Sequence, residues 1–113
     1  MKRGEVWVAN LSPSRGREVG KVRPVLVIQG DSLVEAGSPT IAVLPLTTQV
    51  QPALKLLRIY LPPRDRLQQA CQVLVDQPRT IDRRRFGDGP LTRLTAGEMD
   101  AVERGMRVAL GMY

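Results

Sequence analysis

Four consecutive apolar residues, Val25, Leu26, Val27 and Ile28, follow directly on Arg23 and Pro24. Side chains alternate between the two faces of a strand, so an unbroken apolar run requires cover on both faces. Proline suits the first residue of a strand, and the residue before a proline is biased to an extended conformation. The segment therefore predicts a central strand over residues 24–28, with an arginine held at its entrance. Just before it, residues 16–22 form a polar stretch carrying Arg17, Glu18 and Lys21. An arginine on a rigid strand beside a basic loop is well placed to grip a phosphate. Read alone, it is more simply a solvated strand-end charge.

The other elements are expected around this strand. Glu5–Asn10 alternates apolar and polar residues as a first strand, with Val6 and Val8 on one face and Trp7 on the other. The connection that follows is too rich in turn residues and too long for a tight hairpin. Residues 30–39 read as a second loop and residues 40–46 as a third strand. Pro45 in that strand removes a ladder hydrogen bond, which implies an edge or a bulge. A fourth strand over 54–61 stops at Pro62 and Pro63. A short helical turn over 65–70, a fifth strand over 72–76 and a connection through residues 77–82 come next, with Asp82 placed to cap a turn through Arg83, Arg84 and Arg85.

The last element has the clearest signature. Thr95 and Glu98 form a capping box, with Leu94 and Met99 spaced for the hydrophobic staple. Met99, Val102, Met106, Ala109 and Leu110 make one apolar stripe at helical spacing, expected to pack on the sheet, and Glu103 and Arg107 pair four apart on the outside. Mostly antiparallel strands with one terminal helix predict a small barrel-like α+β fold. At 113 residues the expectation is one domain over 1–113.

Composition narrows the chemistry. Lysine and arginine total 17 against 11 acidic residues, a net charge of +6, and three lysines leave 14 arginines. Arginine meets phosphate with a planar fork that lysine lacks, so this balance suggests nucleic acid, although a GC-rich genome would enrich arginine as well. There is no histidine and one cysteine. That removes the commonest general base and zinc ligand, and no metal site or cofactor is expected. Cys71 lies in an apolar run and reads as a small buried residue. The N-terminal segment lacks the apolar centre of a signal peptide, and no stretch approaches the ~20 apolar residues of a membrane span. A lone thiol fits a reducing compartment, so a cytoplasmic protein with no membrane partner is expected.

Two groups of residues carry the functional signal: Arg23 with Thr47 and Thr48, and residues 77–82 (Gln-Pro-Arg-Thr-Ile-Asp) with the three arginines after them. Singly, each has a structural reading: a strand-end hydroxyl, an Arg79–Asp82 ion pair, a solvated arginine face. In order along the chain they resemble the MazF/PemK (Kid-like) toxins of type II toxin–antitoxin systems. Residues 3–7, 16–29, 38–40, 46–49 and 77–85, together with the start of the final helix, carry the resemblance, which spans nearly the whole chain.

The resemblance implies an SH3-like antiparallel β-barrel with short helices and a C-terminal helix, assembled as a homodimer. It implies an endoribonuclease (mRNA interferase) that cuts single-stranded RNA at short sequences without a metal, leaving 2′,3′-cyclic phosphate and 5′-hydroxyl ends. A cognate MazE-like antitoxin would neutralise it. The family's essential arginine and threonine match Arg23 and Thr47, with Thr48 as the alternative register. Glu18 matches a loop glutamate of catalytic or supporting role. Arg15, Arg17, Lys21, Gln49, Gln77 and Arg79 are the candidate RNA-binding residues. Because a guanidinium keeps its proton at working pH, electrostatic stabilisation by Arg23, with Glu18 or water taking the 2′ proton, is the chemically preferred assignment. Two other readings use the same fold: a CcdB-like DNA gyrase poison, and a catalytically inert RNA-binding module. The chain ends Leu-Gly-Met-Tyr and lacks the Trp-Gly-Ile type of tail that the gyrase poisons use.

Overall fold

The computed structural model describes residues 1–12, 16, 20–54 and 57–112. Among them, the elements run β1 (Glu5–Asn10), β2 (Val22–Val27), α1 (Asp31–Glu35), β3 (Thr40–Thr47), a 3₁₀ turn at Pro52–Leu54, β4 (Arg58–Leu61), β5 (Cys71–Leu74), β6 (Arg79–Asp82), a 3₁₀ turn at Arg83–Arg85, β7 (Thr92–Arg93) and α2 (Ala96–Leu110). The paired strands are all antiparallel. They lie in the order β4-β5-β3-β2-β1-β7, with β6 also on β3, and curl into a half-barrel.

The apolar run of β2 has both faces covered, as its sequence requires. Val25 and Val27 join one buried cluster with Ala9, Leu11, Val34, Ile41, Val43 and Ile81. Leu26 and Ile28 face the opposite cluster, where Leu44, Leu46, Val73 and α2's Met99 and Val102 pack. Each of the fully buried large side chains contributes roughly 1.5–3 kcal/mol, the partly buried Ile28 less. The sheet is thus a wall between two cores, and α2 sits on one side of it.

Strand β3 organises the site. Its first half pairs with β6 (Val43↔Arg79) and its end pairs with β5 (Leu46↔Val73). Between those pairs, Leu44 and Pro45 face the five residues 74–78. Pro45 has no N–H to give, and the ladder breaks there, residues 74–78 looping out through a turn closed by Gln77 N to Leu74 O (3.1 Å). The sequence allows an edge or a bulge; β3 is no edge, since it has neighbours on both sides, and the lost bond falls where the pairing passes from β6 to β5 through that turn.

Four expectations are corrected. Residues 31–35 form α1 rather than loop; Gly30 O accepts from Leu33 N and Val34 N, and Val34 drops into the core. Residues 79–82 are strand β6 rather than a connection. Residues 65–70 contain a tight turn, bridged Arg64↔Leu67 with Asp65 at φ 49°, and no helix. Strand β4 starts at Arg58, four residues later than expected, after the 3₁₀ turn. The capping box of α2 is present as read: Thr95 Oγ1 accepts from Glu98 N (3.1 Å), and Glu98 Oε1 accepts from Thr95 N (2.9 Å). Only the first half of its stripe is core, however. Met99 and Val102 are buried while Ala109 and Leu110 are exposed, and Glu103 pairs with Arg3 at 3.8 Å instead of Arg107.

Candidate active site

Arg23 lies near the start of β2, paired with Ala9 of β1. The β2–β3 register, Val25↔Pro45, continued by two residues sets Arg23 opposite Thr47. The side chain closes that gap itself. Its Nε donates to Gly20 O (2.8 Å) and its Nη1 to Leu46 O (3.3 Å). Two carbonyls therefore aim the guanidinium without cancelling its charge, and it forms no ion pair among the described residues.

Thr47 ends β3 and is nearly buried, with its Cα opposite Gln72 of β5. Its Oγ1 accepts from Gln49 N (3.1 Å), which leaves the hydroxyl hydrogen to be donated elsewhere. Arg23, Thr47, Thr48, Lys21 and Gln49 line one cleft of about 400 Å³, whose described lining holds no carboxylate. Lys21 is held at φ 66°, a left-handed conformation uncommon for a side-chain-bearing residue. Its N donates to Ser12 Oγ (2.8 Å) and its O accepts from Leu11 N (2.8 Å), so the two ends of the long connection are zipped together. The cleft is a fixed cation beside two hydroxyls, in a half-enclosed setting that strengthens its pull on an anion.

The remaining predicted residues separate. Gln77 lies in the turn between β5 and β6, and Arg79 on β6, where its Nη2 donates to Leu11 O (3.3 Å). Neither lines the cleft. Arg15, Arg17 and Glu18 lie outside the described residues. Cys71 is buried against the cleft floor, and burial pushes its thiol up from the ordinary range, in keeping with a packing role.

Of the arginine run, Arg84 is exposed, as a solvated face would be, but Arg83 and Arg85 are tied to backbone carbonyls. Arg83 donates to Ser38 O and Val34 O (both 2.9 Å), closing the end of α1, and Arg85 donates to Asn10 O and Ser12 O at the end of β1. Asp82 accepts from Arg84 rather than Arg79, which lowers its carboxyl to about 2, and its Oδ1 caps the 3₁₀ turn through Arg84 N (2.8 Å).

One residue escaped the sequence reading. Gln72, wholly enclosed, accepts from Gln51 N (2.8 Å) and donates to Gln51 O (3.3 Å), fastening the loop that carries Thr48 and Gln49. An amide inside the apolar run Ala-Cys-Gln-Val-Leu-Val was the signal for it, since a buried amide must find partners.

The family model for PemK-like, MazF-like toxins of type II toxin–antitoxin systems matches residues 2–110. The chain is 38% identical to endoribonuclease EndoA of Bacillus subtilis, over 99% of this chain and 96% of that one. Among solved structures, MazF of Deinococcus radiodurans superposes with a TM-score of 0.83 at 23% identity, over 99% of this chain and 97% of that chain. An endoribonuclease in complex with its cognate antitoxin, from a mycobacterial species, superposes with a TM-score of 0.77 at 20% identity, over 100% and 97%. At these identities the solved structures speak to the fold: the curled antiparallel half-barrel with its C-terminal helix is theirs.

Proposed function

Because the chain belongs to the PemK-like, MazF-like toxin family of type II toxin–antitoxin systems, we propose that it is a sequence-specific, metal-independent endoribonuclease of single-stranded RNA, an mRNA interferase held in check by a cognate antitoxin. The observation that carries this reading is the Arg23 guanidinium, anchored by two carbonyls and unpaired with any described carboxylate, beside the Thr47 hydroxyl. The reading takes residues 1–113 as one toxin domain, cytoplasmic and homodimeric. Among the described residues no helix is long and apolar enough to cross a membrane.

In the proposed reaction the 2′-hydroxyl attacks its own 3′ phosphorus. The new P–O2′ bond forms as the P–O5′ bond breaks, leaving a 2′,3′-cyclic phosphate and a 5′-hydroxyl. Charge builds on the non-bridging oxygens, where Arg23 and the Thr47 O–H supply fixed donors. Gln49 N, by occupying a lone pair of Thr47 Oγ1, turns that hydrogen outward. Glu18 or water takes the 2′ proton, and water returns one to the leaving oxygen. Thr48 stands one residue away as support; Lys21, Gln49, Arg15, Arg17, Gln77 and Arg79 bind the RNA strand. Without a 2′-hydroxyl there is no nucleophile, so DNA survives.

The test is mixed-sequence RNA and its DNA counterpart, each incubated in EDTA with wild type and with Arg23→Ala. RNA-only cleavage, lost in the variant and ending in cyclic phosphate, supports the reading. Intact RNA, or DNA cut alongside it, overturns it.

A further inference from the structure

Thr47 has neighbours that the catalytic reading leaves idle. Across the sheet, Thr47 of β3 pairs with Gln72 of β5, and Gln72 pairs with Tyr60 of β4. Directly paired residues point to the same face, so Thr47, Gln72 and Tyr60 form one row. Their chain neighbours Leu46, Val73 and Leu61 all turn into the core under α2. The row therefore lies on the opposite face, the one that also carries Arg23.

At the end of the row is a second cleft, of about 390 Å³, lined by Val50, Pro52, Arg58, Ile59, Tyr60 and Gln72. Thr47 borders the first cleft and its cross-strand partner Gln72 borders this one. The lining is almost wholly apolar apart from the guanidinium and the amide. Among the described aromatics, Trp7 and Phe86 pack against the core, whereas Tyr60 is 52% exposed. Beside it, Arg58 Nε is shut off from solvent without a hydrogen-bond partner among the described residues. No carboxylate pairs with Arg58 among the described residues, so its guanidinium keeps its charge for an acceptor brought by a ligand.

A planar apolar ligand with acceptor oxygens, presented next to an anion-binding cleft, answers every one of these features. We propose that the cleft is a nucleobase-stacking subsite for single-stranded RNA, in which a base lies on the Tyr60 ring and Arg58 donates to an acceptor of the same nucleotide. Unpaired bases are taken up on aromatic rings and guanidinium planes in this manner. Two strand spacings separate Tyr60 from Thr47, about 10 Å, which places the stacked base close to the scissile phosphate. Gln72 serves both sites, since its amide holds the loop that forms one wall of each. The proposal rests on the endoribonuclease reading for its substrate, and it assigns Tyr60 to binding rather than to chemistry.

The test measures binding with cleavage blocked. The probe is a short mixed-sequence single-stranded RNA with 2′-O-methyl riboses, titrated against wild type, Tyr60→Phe and Tyr60→Ala, with an abasic ribose-phosphate chain of equal length as the second probe. Tyr60→Phe keeps the ring and is expected to bind as wild type. Tyr60→Ala is expected to raise Kd about tenfold for the RNA and to leave Kd for the abasic chain unchanged. Equal Kd for wild type and Tyr60→Ala on the RNA overturns the subsite. So does a loss as large on the abasic chain. Wild type that binds the unmodified RNA but never cuts it overturns the nuclease reading alone, because the Tyr60 comparison is made without cleavage.

Discussion

Arg23 and Arg64 each stand next to a proline, and each is half-enclosed, yet they do opposite things. Arg64 is saturated. Its Nη1 and Nη2 donate to the two carboxylate oxygens of Glu98 (2.6 and 2.7 Å), its Nη2 also to Arg93 O (3.0 Å), and its Nε to Thr92 Oγ1 (3.2 Å). That one side chain ties the turn after β4 to β7 and to the first turn of α2. Among the described residues Arg23 meets only carbonyls, on the face away from α2. A guanidinium neutralised by a bidentate carboxylate is a fastening; one oriented by neutral acceptors keeps its charge for an incoming anion. The difference lies in the partner.

The largest expected effect breaks the comparison on the Arg23 side. Arg23→Ala is expected to lower the single-turnover rate of RNA cleavage at least 100-fold, about 3 kcal/mol of barrier, with only a small change in the urea midpoint. A rate loss matched by unfolding would make Arg23 a fastening as well. Thr47→Val comes next, with roughly a 100-fold fall expected from loss of one donor; Thr48→Val is expected to stay near wild type, and the reverse order would move the catalytic position by one residue.

On the other side, Arg64→Ala is expected to destabilise the fold by about 2 kcal/mol, because Glu98 is left without its charged donor. The folded fraction should still cut RNA at the wild-type rate when cleavage is normalised to it. The smallest effect is in pH. Hydrogen bonds from Arg64 hold the Glu98 carboxyl below its ordinary value, so the unfolded chain binds more protons there than the folded one. The stability from this pair is complete above the ordinary glutamate value near 4.5 and drains away as pH falls below it. Urea midpoints for wild type and Glu98→Gln, measured from pH 6 down to 3, should therefore converge toward acid. A constant gap would mean that the charge of Glu98 contributes nothing.

What the sequence disclosed follows from how local each signal is. The apolar run of β2, the alternation of β1 and the capping box of α2 are each complete within a few neighbouring residues, and they appear where expected. Helix α1 has five residues, too few to show a period, and β6 is a strand only because the first half of β3 lies beside it. The bond from Arg64 to Glu98 spans 34 residues and has no local trace. For the same reason no rule of spacing separates Arg23 from Arg64; the order of segments along the chain pointed to Arg23, and its carbonyl anchors supply the physical reason. The exposed end of α2 shows the converse: a stripe at helical spacing says which face is apolar, but not how far along the helix that face is covered.

The central claim is that Arg23 and Thr47 promote attack by the substrate's own 2′-hydroxyl. Once a cleavage sequence is mapped, the most direct measurement uses a short RNA in which only the ribose 5′ to the scissile phosphate is changed to 2′-deoxy, incubated in EDTA. Cleavage at that linkage is predicted to vanish while the all-ribose strand is cut to a cyclic phosphate. Cutting at the deoxy linkage would require another nucleophile, and would contradict the account.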